Sequence, residues 1–273
     1  MLGTRKKWIW TLAATWLGAA GIAAAAGLAW DHAGEAAYSD GWQTGDAGGS
    51  GWGGAWSLNT SVVPPDGNIA GHFVGTSQNN GSGDGNVDVS GASWGLYANS
   101  GYMSYATRPF DGTLGIGQSV ILDMDNGYVE AGGQFGFTLT AYGDVGSTER
   151  FSFYFLGGSN NYFTGTGQMY WITQTDTGVP FTSAGLQVAF TLTGAQAYSV
   201  DITPAGGSTT TLNGSFLVAA TNFDHIELFN FNAGSSSAND GFFNSVQVIP
   251  EPGTTALALS GLAGLLAFRR RRT

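Results

Sequence analysis

The sequence predicts an all-β protein, an antiparallel jelly-roll β-sandwich with a hydrophobic helix at each end. Three observations carry this. Between about Trp30 and Val248 apolar residues alternate with polar ones, and no stretch holds a helical period. Glycine supplies 45 of 273 residues and, with Asn, Asp and Ser, cuts that pattern into short runs. Apolar segments with basic flanks then stand outside the alternating region, one near each end.

Residues 1–26 hold Arg5, Lys6 and Lys7, an apolar stretch from Trp8 to about Ala20, and the small-residue run AGIAAAAG. That order is a secretory signal peptide, with an A-x-A cleavage point at Ala24 and Ala26. The body, 27–248, follows as one domain. In GQFGFTLTAYG the residues Phe135, Phe137 and Leu139 share one face, with Thr138 and Thr140 opposite; in FSFYFLGG the residues Phe151, Phe153 and Phe155 do the same. With YMSYATRPF, SVILDMDNG, NYFTGTGQMYWITQT, LQVAFTLTGAQAYSVDIT, TTTLNGSFL, DHIELFNF and FFNSVQVI, about nine to eleven strands are expected. No helices intervene, so the strands pair antiparallel rather than as βαβ units. The tail, 249–273, reads Pro250-Glu251-Pro252, an apolar run from Thr254 to Phe268, then Arg269, Arg270, Arg271 and Arg272. At 1.5 Å per residue that run covers about 22 Å of a hydrocarbon core of about 30 Å, a short membrane helix. Arginines stay on the cytoplasmic side, so the body sits outside, as the N-terminal signal also requires.

The net charge of -10 is uneven. The interior, 27–249, holds two cations, Arg108 and Arg150, against eighteen carboxylates. Phosphate backbones repel such a body, which excludes nucleic acid and favours cations or neutral polymers as partners. Zero cysteines leave stability to the core.

Several groups are candidates for chemistry. Trp42, Trp52 and Trp56 sit in a glycine-rich stretch, 36–60. Either the loop packs its own indoles over a sheet end, or the rings form stacking platforms for sugars. For calcium, which takes six to eight oxygens, Asp84 stands among Asn79, Asn80, Asn86 and Asp88; Asp240 precedes the last strand-like run and is expected near Asp31, Glu35 or Asp40. Asp123 and Asp125, two apart on one strand, share a face, the spacing a carboxylate pair needs, with Glu130 nearby. His32, His72 and His225 are too scattered for a zinc site. No G-x-S-x-G elbow is present.

Pro250, Glu251 and Pro252, the apolar run and the arginine cluster resemble the PEP-CTERM sorting signal of exported bacterial proteins. The resemblance covers about 25 residues and implies an exosortase-type processing enzyme, in bacteria that make extracellular polysaccharide. AYSDGW at 37–42, GGSGWGGAW at 48–56, SWGLYANSG at 93–101, LDMDNG at 122–127 and NDGFFNSVQV ending at Val248 resemble a family of exported glycine-rich domains. That family implies a concanavalin-like, lectin-like sandwich. Three functions then stand: a structural or adhesive component of an exopolysaccharide layer, a carbohydrate-binding module, or a glycan-cleaving enzyme around Asp123 and Asp125.

Overall fold

A computed structural model describes residues 28–61, 69–80, 86–99, 101–141, 150–168, 171–220 and 222–249. In chain order its strands are β1 (Ala29–Asp31), β2 (Ser57–Thr60), β3 (Ala70–Gly75), β4 (Ser93–Ala98), β5 (Met103–Pro109), β6 (Ser119–Asn126), β7 (Gln134–Thr140) and β8 (Arg150–Leu156). There follow β9 (Asn161–Gln168), β10 (Trp171–Pro180), β11 (Leu186–Gly194), β12 (Ala197–Pro204), β13 (Thr210–Ser215), β14 (His225–Phe231) and β15 (Gly241–Ile249). They form an all-β sandwich of two antiparallel sheets. One has the order β13-β12-β11-β6-β15-β4-β3 with β1 beside β15; the other runs β10-β9-β8-β7-β14-β5-β2.

The described strands outnumber the expected nine to eleven because β1 to β4 form ahead of the first marked run, and because two long runs fold back on themselves. LQVAFTLTGAQAYSVDIT is the hairpin β11–β12, and NYFTGTGQMYWITQT opens the hairpin β9–β10. Alternation survives a tight turn that keeps the same face inward, so it does not mark where a strand ends. The expected helix at each end falls in 1–27 and 250–273, outside the described residues. Among the described residues helix is limited to three single 3₁₀ turns, and no helix is long and apolar enough to cross a membrane.

The phenylalanine faces meet between the sheets. Phe151 of β8 lies 4.5 Å from Phe190 of β11, and Phe135 of β7 stacks on Phe243 of β15 at 4.6 Å, centroid to centroid. Toward one edge the core turns to indole: Trp42, Trp56 and Trp94 pack at 5.3 to 5.6 Å, with Tyr38 edge-on to Trp94. Beside them a buried ion pair joins the sheets, Asp31 of β1 to Arg108 of β5. Tyr38 Oη also donates to Asp31, and Trp56 Nε1 donates to the same carboxylate at 3.1 Å. Arg108 donates in turn to the carbonyls of Gly48 at 2.9 Å and Gly54 at 3.1 Å. One of the two interior cations thus ties the glycine-rich loop down over its own tryptophans.

Candidate functional site

The outward face of the seven-stranded sheet carries two cross-strand rows, each fixed by register. In one, Thr107 of β5 stands opposite Glu227 of β14, then Thr138 of β7, Ser152 of β8, Gly165 of β9 and Gln174 of β10. Two residues along each strand, about 7 Å away, the second row reads Tyr105, Phe229, Gly136, Tyr154, Phe163 and Asp176. A polar row thus runs beside an aromatic one, and from Glu227 to Gln174 the polar row crosses four strand spacings, about 19 Å.

Between them lies a cleft of about 320 Å³, lined by Glu227, Thr138, Ser152 and Gln174 of the polar row, Phe229 and Tyr154 of the aromatic row, and Met103, Gln134 and Phe231. Thr138 and Ser152 share a 3.0 Å hydroxyl–hydroxyl hydrogen bond on its floor. Gly136 lets β8 approach closely: a Cβ there would come within 2.6 Å of Tyr154 Cβ and 2.1 Å of the Phe153 carbonyl oxygen. Tyr154 lies over Phe163, ring centroids 6.1 Å apart. Its hydroxyl is buried without a hydrogen-bond partner, and burial pushes its pKa up to about 12, so it stays a donor at any physiological pH. Buried hydroxyls ordinarily find partners. Among the residues lining the cleft Glu227 is the one carboxylate.

The residues singled out from sequence lie elsewhere. Trp42 is 4% exposed and Trp56 1%, so neither presents a ring face to a sugar; the loop packs its indoles inward because Arg108 and Asp31 hold it there. Trp52 is half-buried, with the Arg108 guanidinium 4.7 Å over its ring, and its Nε1 donates to the Trp30 carbonyl at 3.1 Å. Asp123 and Asp125 do share the outward face of β6, but on the other sheet. Asp123 accepts from Gln187 at 3.0 Å. Asp125 accepts from Asn80 at 2.9 Å beneath the segment that follows β3, and burial pushes it up to about 7.

Of the calcium candidates, Asp40 is exposed and Asp240 is half-buried, its carboxyl also pushed up to about 7 by burial, while Asp84 falls outside the described residues. β1 and β15 are neighbours as expected, yet Asp31 pairs with Val246, well along β15 from Asp240, and its carboxylate is taken by Arg108. Among the described residues no three His, Asp or Glu side chains stand close enough to share a metal ion. His32 contacts Glu35 at 3.1 Å, His225 contacts Asp224 at 2.6 Å, and His72, its pKa lowered to about 4 by burial, reaches the Tyr105 carbonyl. Sequence reading marked Thr138 as opposite the phenylalanines; it did not bring Glu227, Ser152 and Tyr154 beside it.

β15 ends at Ile249, one residue before Pro250. Residues 248–272 match the family model described as the PEP-CTERM protein-sorting motif. The chain carries a PEP-CTERM sorting motif. Pro250, Glu251, Pro252 and the arginines 269–272 belong to that motif and lie outside the described residues. No curated protein matches the chain. Among solved structures, the body ahead of the PEP-CTERM motif is similar to galectin LEC-6 of Caenorhabditis elegans, at 12% identity over 50% of this chain and 84% of that one, TM-score 0.37. It is similar to a glycosyl hydrolase family protein from Mycobacterium fortuitum, at 12% identity over 71% and 90%, TM-score 0.46. A third is carbohydrate binding module CBM66 from Bacillus subtilis, at 7% identity over 57% and 86%, TM-score 0.40.

Proposed function

We propose that the protein is exported, handled at its PEP-CTERM motif by an exosortase-type enzyme, and displayed at the cell surface, where its cleft holds a polysaccharide chain. The observation that carries the binding role is the cleft where the polar row runs beside the aromatic one, with the Phe231 ring exposed at its rim and Tyr154 and Phe229 packed into its floor. Sugar rings have apolar C–H faces and a rim of hydroxyls, which such a pair of rows matches. The excess of interior carboxylates selects neutral or cationic glycans over anionic ones. Glycoside hydrolysis uses two carboxyl groups across the scissile bond, so the single Glu227 supports holding rather than cutting. A structural or adhesive role in an exopolysaccharide layer is the same activity seen from outside: gripping matrix strands is adhesion.

A glycan array of neutral polysaccharide fragments tests this. Glu227→Gln removes the carboxylate charge and is expected to weaken binding about tenfold, since hydrogen bonds to a charged group contribute about 1.5 kcal/mol or more; Tyr154→Phe removes a neutral hydroxyl and is expected to weaken it about fivefold, for about 1 kcal/mol. Binding that is unchanged in both variants, or that is lost in Trp52→Ala instead, would move the site elsewhere.

A further inference from the structure

Among the described residues, five of the eight exposed large apolar side chains gather at one end of the sandwich: Leu28, Trp30, Ile116, Leu217 and Val218. Ile116 lies in the turn before Ser119, which pairs with both Ile249 and Thr191, and Gly117 N–H donates to the Leu192 carbonyl at 2.6 Å. The hairpin turn after Leu192 holds the next loop, Gln196 donating to the Leu217 carbonyl at 3.0 Å. Leu28 precedes Ala29, whose partner is Val248. Leu217 is 82% exposed and Leu28 59%, too much apolar surface for a plain loop end. Tyr128, Phe181 and Phe231, the remaining three, belong to the opposite end, with the Phe231 rim of the cleft.

Both segments of the chain beyond the described body also leave from the first end, one before Leu28 and one after Ile249. Only Pro250, Glu251, Pro252 and Gly253 separate Ile249 from the apolar run of the tail, a reach of at most about 14 Å for four residues. With the arginines on the cytoplasmic side, the start of that run lies at the outer interface. The tether therefore fixes which end of the sandwich meets the lipid.

We infer that this end is a membrane seat: while the tail is inserted, Leu28, Ile116, Leu217 and Val218 rest in the outer interface of the bilayer, with Trp30 and Trp52 at headgroup level. Indoles favour that depth, their rings apolar and their N–H polar. Asp111 and the Asp224–His225 pair stand at the same end and keep it from sinking further. Seated this way, the body turns the Phe231 rim of the cleft away from the lipid. The inference rests on the tail reading above.

The chain lacks cysteine, so single-cysteine variants give clean labels. The full chain, reconstituted in phosphatidylethanolamine–phosphatidylglycerol vesicles, is labelled with an environment-sensitive fluorophore at Leu28→Cys, Ile116→Cys, Leu217→Cys, Tyr128→Cys or Leu262→Cys. Headgroup-nitroxide lipids then quench whatever lies at the interface. Expected are blue-shifted emission at Leu28→Cys, Ile116→Cys and Leu217→Cys, and quenching several-fold that at Tyr128→Cys. Strong quenching of Leu262→Cys by mid-chain nitroxide, with the two ends of the body alike, overturns the seat and leaves the tail reading standing. No quenching at Leu262→Cys overturns the tail reading and the seat with it.

Discussion

Arg108 is one of two interior cations in the sequence and a keystone in the fold. It meets Asp31 where both are buried, and the pair joins one sheet to the other through β1 and β5. Desolvation makes such a pair a poor source of net stability, yet removing one partner strands the other. Arg108→Met is therefore expected to destabilise the protein by about 3–5 kcal/mol, read from urea denaturation, and Asp31→Asn combined with it to recover part of that loss. Equal losses in the single and double variants would show that the guanidinium acts through its packing against Trp52 and Trp56, not through its charge. A loop that packs its own tryptophans was one of the two readings its sequence allowed, and it is the arrangement in which Trp42 and Trp56 are found. What holds them was not legible: nothing local in GGSGWGGAW says that a carboxylate and a guanidinium distant in sequence will pull it inward.

Among elements, the glycine-rich loop shows what backbone freedom is for. Gly51 has φ +80, and a Cβ there would lie 1.9 Å from the carbonyl oxygen of Leu28. Gly45, at φ +103, has nothing within 4 Å of the same atom. Gly51→Ala combines backbone strain of about 1–3 kcal/mol with a collision against the start of β1, whereas Gly45→Ala carries the strain alone. Thermal melts are expected to rank Gly51→Ala well below Gly45→Ala; the reverse order would mean that β1 yields freely. Strand faces were legible because alternation is local, and the phenylalanine faces of β7 and β8 are those of the core. Sheet order was not. β14 enters between β5 and β7, and that non-local pairing alone sets Glu227 beside Thr138. The cleft is therefore invisible to any reading that treats strands one at a time.

At the scale of the whole molecule, acidity and burial set the pH response. Burial raises Asp125 and Asp240 from the usual carboxylate range to about 7. The folded state therefore binds more protons than the unfolded chain between about pH 4 and 7. The stability these groups contribute is full below about pH 4 and is lost as pH rises through about 7, by up to about 1.4 kcal/mol per unit for the fully buried Asp125. Melting temperature is expected to fall from pH 5 to pH 8, and Asp125→Asn to flatten that slope; an unchanged slope would place the titration elsewhere. The sandwich itself was legible from composition and alternation. Its closure was not, because closure is made by partners at the two extremes of the body. Ala29 pairs with Val248, and Ala33 N–H donates to Asn244 at 2.9 Å across 211 residues. β15, moreover, is an inner strand, flanked by β6 and β4. Any process that delivers this chain from its N-terminus therefore leaves the first sheet in two parts, β13-β12-β11-β6 and β4-β3, until β15 arrives to join them.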